Sequence, residues 1–177
     1  MTNNKPTLQE CAMRYGTGMG LLWAFKFVLF PLGLRIPFLQ LLFFALTLGV
    51  PVVGYIFAKN FRDRQCDGTV TFSRAFLFTT FMYMFASLLV AVVHYIYFRY
   101  IDGGFVIETY QALWNQIKGT ATAELMPALQ QYDEALNLLA GLTPLEITFQ
   151  LLSNNVFMGM LMAIPTALLV MRKKKNQ

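Results

Sequence analysis

Carboxylates are scarce in this chain, and their placement matters more than their number. Only nine of 177 residues are Asp or Glu, and none falls inside the long apolar runs that fill most of the sequence. A transporter coupled to protons or cations through a buried acid would have no acid there to use. Histidine occurs once, as His94, and cysteine twice, as Cys11 and Cys66, without a CxxC pair. A structural zinc site is excluded by ligand number and spacing. No nucleophile elbow, HExxH, P-loop or GxGxxG is present, so the chain reads as non-enzymatic and without a cofactor.

Charge of either sign is also sparse, at 13% of residues against 56% hydrophobic, where soluble globular chains carry about 25% charged residues. A water-soluble fold of this length could not hide so much apolar surface, and long apolar runs with few charges are stable in lipid. The net charge of +5 does not form a basic stripe with interleaved aromatics, which excludes nucleic acid as the expected partner. The basic residues sit instead at the ends of apolar runs.

Four runs appear, and the expectation is an all-α polytopic membrane protein, one membrane domain over residues 1–177. The spans cover about 12–34, 38–58, 75–98 and 148–171, each long enough at roughly 1.5 Å per residue to cross about 30 Å of hydrocarbon. The first lacks the basic n-region and cleavage site of a signal peptide and reads as a retained helix. Gly16 and Gly20 stand four apart near its start, a spacing that lets a neighbouring helix approach closely. Arg35-Ile36-Pro37 is a very short connection, so spans one and two should form a tight antiparallel pair. Gly49, Pro51 and Gly54 predict a kink or a loosened segment in span two.

Lys59 to Gly68 is hydrophilic and is expected to be an exposed loop. Tyr95, Tyr97, Arg99 and Tyr100 form an interfacial anchor after span three. Residues 101–146 are mixed and acidic, with apolar positions at spacings of three and four: Val106, Tyr110, Leu113, Trp114 and Ile117, then Leu125, Leu129, Tyr132, Leu136 and Leu139. The pattern predicts an extracytoplasmic amphipathic helical hairpin between spans three and four. Thr143-Pro144-Leu145-Glu146 is a helix start for the last span.

Lys and Arg near span ends divide unevenly. One side holds Lys5, Arg14, Lys59, Arg62, Arg64, Arg74, Arg172, Lys173, Lys174 and Lys175; the other holds Arg35, Arg99 and Lys118. Under the positive-inside rule both termini are cytoplasmic, in a bacterial inner membrane, and both thiols stay reduced. Arg62, Arg64, Arg74, Arg172, Lys173, Lys174 and Lys175 are candidate contacts for a partner or for lipid headgroups.

Lys26 is the only charge deep in a span, about 12 Å below the outer end of its helix. It can snorkel, pair with a polar group, or meet an anionic ligand such as a lipid phosphate. Thr80, Tyr83, Ser87, Ala91 and His94 share one face of span three, and Asn155, Gly159, Ala163 and Ala167 repeat at four on span four. These small, polar faces suit close helix packing. The functional alternative is a polar or anion-binding pocket in the outer half made by Lys26, His94, Gln150, Asn154 and Asn155. Small faces at Gly16, Gly20, Gly159 and Ala163 would also serve assembly into a homo-oligomer.

The layout of four spans, a basic second connection running into Gly68-Thr69-Val70-Thr71-Phe72-Ser73-Arg74-Ala75-Phe76, and a long helical segment before the last span resembles the DUF4199 family, four-span membrane proteins of unknown function common in Bacteroidetes. The resemblance brings no established activity. It implies a gene neighbourhood with a membrane-associated family 2 glycosyltransferase, and so a membrane scaffold or regulatory subunit for such an enzyme. A small oligomeric transporter or flippase subunit for an anionic lipid or lipid-linked sugar is the alternative.

Overall fold

The computed structural model describes residues 6–120 and 126–172, without the side chains of 120 and 126–129. Lys5, Glu124, Leu125, Lys173, Lys174 and Lys175, and the side chain of Leu129, lie outside the described residues. The fold is all-helical: α1 Leu8–Gly33, α2 Pro37–Gln65, α3 Phe72–Tyr100, α4 Phe105–Thr120, α5 Met126–Ala140 and α6 Pro144–Val170. Four of these, α1, α2, α3 and α6, are long and apolar enough to cross a membrane.

Local sequence accounts for where the helices start. Thr7 and Glu10 form a capping box: the Thr7 N–H donates to Glu10 Oε2 at 2.7 Å and the Glu10 N–H to Thr7 Oγ1 at 3.3 Å. This satisfies backbone donors that a helix N-terminus leaves open, so α1 begins before the apolar run does. Thr143 and Glu146 repeat the device at the start of α6, again at 2.7 and 3.3 Å. Pro37 occupies the first turn of α2, where its missing N–H costs nothing. Pro51 lies inside α2, which nevertheless runs helical from Pro37 to Gln65.

The hydrophilic stretch after span two is not the exposed loop its composition suggests. Residues 59–65 continue α2, and Phe61 and Arg62 are buried. Phe61 stacks flat on Phe78 of α3, with ring centroids 4.0 Å apart and planes within 4°. One aromatic in register with a neighbouring helix therefore carries the helix through its charged end. The connection proper is short and turns where Asp67 and Gly68 take positive φ, 50° and 77°.

The chain divides into two compact units. In the first, residues 1–92 and 151–177, α3 supplies the most deeply buried side chains, including Phe78, Met82, Tyr83 and Ala86. Lipid-facing helices gain no hydrophobic drive from contact with one another, so packing rests on close approach. Gly16 and Gly20 of α1 provide it: a Cβ on Gly16 would lie 2.8 Å from the Met82 carbonyl oxygen, and one on Gly20 3.0 Å from Leu89. Gly159 of α6 does the same toward Tyr83, at 2.6 Å from its Cβ.

In the second unit, residues 93–150, Asp102 starts α4 by accepting the N–H groups of Gly104 and Val106 at 3.1 and 3.2 Å. Helices α4 and α5 meet where Trp114 packs on Tyr132, centroids 5.3 Å apart, and Lys118 pairs with Asp133 at 2.8 Å. Of the apolar face expected on α4, Val106 is buried while Leu113 and Ile117 are exposed.

Candidate functional site

Tyr83 is the point where the first unit's helices meet. Its ring stacks on Trp23 of α1, centroids 5.7 Å apart and planes within 17°. Its hydroxyl abuts Gly54 of α2, and its Cβ abuts Gly159 of α6. Along the same face of α3, Ser87 donates to the Tyr83 carbonyl at 2.8 Å, a bond a serine makes within its own helix. The Tyr83 hydroxyl, Thr80 Oγ1 and Trp23 Nε1 are buried with no hydrogen-bond partner among the described residues. The face thus combines tight packing with polar atoms that lack a mate. His94, on the same stripe, is buried but belongs to the second unit.

Lys26 is half-buried and makes no hydrogen bond or ion pair among the described residues. Its ammonium lies 6.0 Å from the centroid of the Trp23 ring and 5.4 Å from that of Phe43. Phe43 lies against Phe30 at 5.5 Å. Aromatic faces are the electrostatic surroundings this cation has, and their quadrupoles attract it.

On α6, Gly159, Ala163 and Ala167 are buried and Asn155 is half-buried. Ser153 and Asn154 are exposed and make no side-chain hydrogen bond among the described residues. Both stand within roughly 6 Å of the helix midpoint on a rise of about 1.5 Å per residue. Of the five residues expected in an outer pocket, Lys26, Asn154 and Asn155 fall in the first unit and His94 and Gln150 in the second.

The basic candidates divide by burial. Arg62 is 3% exposed; it donates to the Val170 carbonyl at 3.2 Å and pairs with Asp63 at 2.7 Å. Its guanidinium is spent inside the bundle. Arg64, Arg74 and Arg172 are exposed, with Arg74 5.9 Å from the Phe61 ring centroid. The backbone of Arg172 pairs with Val70 through two hydrogen bonds, 2.9 and 3.1 Å.

A cleft of about 400 Å³, with Arg64 in its wall, opens between the first turns of α1 and the last turns of α2. Arg14 and Tyr15 line it from α1, and Phe57, Asn60 and Arg64 from α2. Of the cleft's residues only Arg64 stands out from the sequence as a candidate contact. The signal for the rest is helical spacing: residues 11, 14, 15 and 18 share a face of α1, as do 57, 60 and 64 of α2.

A smaller cleft of about 290 Å³ lies in the second unit between α4 and α5, with Trp114, Lys118 and Asp133 in its wall. The Lys118 ammonium, donating to Asp133 at 2.8 and 2.9 Å, holds that carboxyl below its ordinary value. Among the described residues no group of His, Cys, Asp and Glu could hold a metal ion.

Comparison with known families matches residues 14–172 to one described as Protein of unknown function (DUF4199). No curated protein and no solved structure matches the chain.

Proposed function

The chain belongs to the DUF4199 family, and on that premise we propose that it is a non-enzymatic integral membrane subunit that scaffolds or regulates a partner by docking against α6. Ser153 and Asn154 carry this reading. They are exposed near the middle of a helix long and apolar enough to cross the bilayer, where hydrocarbon offers an amide no hydrogen bond. A polar side chain so placed is stabilised by a second helix, at roughly 1 kcal/mol per hydrogen bond. The partner is therefore a membrane-spanning protein, and a membrane-associated glycosyltransferase is the first to probe. A second copy of this chain is the competing occupant.

The reading places the protein in a bacterial inner membrane with both termini in the cytoplasm, supported by the uneven spread of Lys and Arg. Reporter tags at the two ends should report the same compartment. Mild extraction from native membranes should recover the chain with a partner, and Asn154→Leu combined with Ser153→Ala should release it. Recovery of the wild-type chain alone and monomeric would overturn the proposal.

A second reading, a subunit of a small oligomeric transporter or flippase for an anionic lipid or lipid-linked sugar, draws support from Lys26. Its cation sits against Trp23 and Phe43 with no carboxylate among the described residues, which leaves its charge available to a phosphate. Lys26→Met should abolish lipid translocation under this reading and leave partner recovery intact under the first.

A further inference from the structure

We infer that the cleft between the start of α1 and the end of α2 binds the phosphate of an anionic membrane phospholipid. The two helices are antiparallel neighbours, so the face of α1 bearing Arg14 and Tyr15 meets the face of α2 bearing Asn60 and Arg64. Both arginines lie where the apolar runs end, the level of lipid headgroups. Both are exposed, and neither is in a hydrogen bond or ion pair among the described residues.

The one carboxylate in the cleft wall is Glu10. It does not consume the guanidinium of Arg14, because its Oε2 is turned back onto the Thr7 N–H at 2.7 Å. Two guanidinium groups with ten donors between them thus face a space of about 400 Å³, and planar donor forks match phosphate oxygens two at a time. Asn60 and the Tyr15 hydroxyl add neutral hydrogen-bonding groups to the same wall.

The apolar side of the cleft indicates which phosphate. Tyr15 packs on Phe57 with centroids 5.2 Å apart, and a Cβ on Gly18 would sit 3.5 Å from the Phe57 ring. Gly18 lies about one turn deeper than Arg14 and Phe57 about two turns deeper than Arg64, toward the apolar run. A polar mouth above an aromatic floor follows the order of a phospholipid, with the phosphate outside and the glycerol and acyl esters beneath it. A free phosphate ester would use the mouth and leave the floor idle.

The test is native mass spectrometry of the full chain exchanged into mild detergent with dioleoyl phosphatidylglycerol or dioleoyl phosphatidylcholine. Phosphatidylglycerol should be retained preferentially. Arg14→Gln with Arg64→Gln should cut its retention by at least about tenfold, the loss of one charge-assisted hydrogen bond or more. Arg14→Lys with Arg64→Lys should restore part of it, which separates lost binding from lost folding. Arg35→Gln with Lys59→Gln removes equal charge outside the cleft and should leave retention unchanged. Equal retention of the two lipids, or an equal loss from the Arg35 and Lys59 pair, overturns the inference. Competition by soluble glycerol phosphate as strong as that by the lipid would assign the cleft to a water-soluble ester and overturn it as well.

Discussion

Arg62, near the end of α2, donates to the carbonyl of Val170, the last residue of α6, at 3.2 Å. A helix leaves its final carbonyls without partners, and here a residue 108 positions away supplies one. The same corner is closed by the paired backbones of Val70 and Arg172. A residue with the look of a topology charge therefore also joins two helices.

Arg62→Met should destabilise the protein by roughly 1 to 3 kcal/mol, the cost of leaving a buried carbonyl unsatisfied. Arg64→Met, which removes an exposed charge next to it, should change stability by less than about 0.5 kcal/mol. Thermal unfolding in detergent distinguishes the two. Hydrogen exchange should show faster opening of the end of α6 in the Arg62 variant alone.

The glycines should respond to substitution according to their surroundings. An alanine Cβ at Gly16 would meet the Met82 carbonyl oxygen and the Phe85 Cβ at 2.8 Å, neither of which is the end of a flexible side chain. Gly16→Ala should cost about 1 to 3 kcal/mol as α1 is pushed off α3. Gly49, with nothing within 4 Å of its Cβ position, should gain up to about 1 kcal/mol from the same change, since alanine is the better helix former. Equal responses at the two sites would contradict the close approach of α1 to α3.

Asp133 makes the contact between α4 and α5 sensitive to acid. Lys118 holds its folded-state value below the ordinary 3.8, so the pair contributes stability that is present above that pH. The contribution is lost as pH falls below it through the depressed value. Fluorescence of Trp114, whose Nε1 donates to Asp133 at 3.2 Å, should change across that window in a Trp23→Phe background. Asp133→Asn should show no such acid transition.

Lys26→Met should leave the fold intact, with stability within about 1 kcal/mol of wild type. The attraction of the Trp23 and Phe43 faces for the cation is offset by the cost of holding a charge among apolar groups. A thioether fills the same space against the rings. A loss of several kcal/mol in detergent would point to a buried counter-charge instead.

The spans were readable because their signal is local: a helix crossing hydrocarbon must satisfy its own backbone and present apolar side chains for some 20 residues. The start of α6 was equally plain in Thr143-Pro144-Leu145-Glu146. Thr7 and Glu10 carry the same capping pattern ahead of the apolar run, so α1 begins as a helix before its hydropathy signal does.

The sequence by itself thus determined an all-helical chain with four helices able to cross a membrane, because length and apolarity are properties of each segment alone. Only the tertiary structure decided that Arg62 is buried, that Lys59 to Gln65 stay helical, and that Tyr83 is the meeting point of α1, α2 and α6. Each of these depends on a residue far along the chain. Arginine at an interface carries the same composition whether it meets water, a lipid phosphate or the carbonyl of Val170, and only the packing of α2 against α6 selects among them.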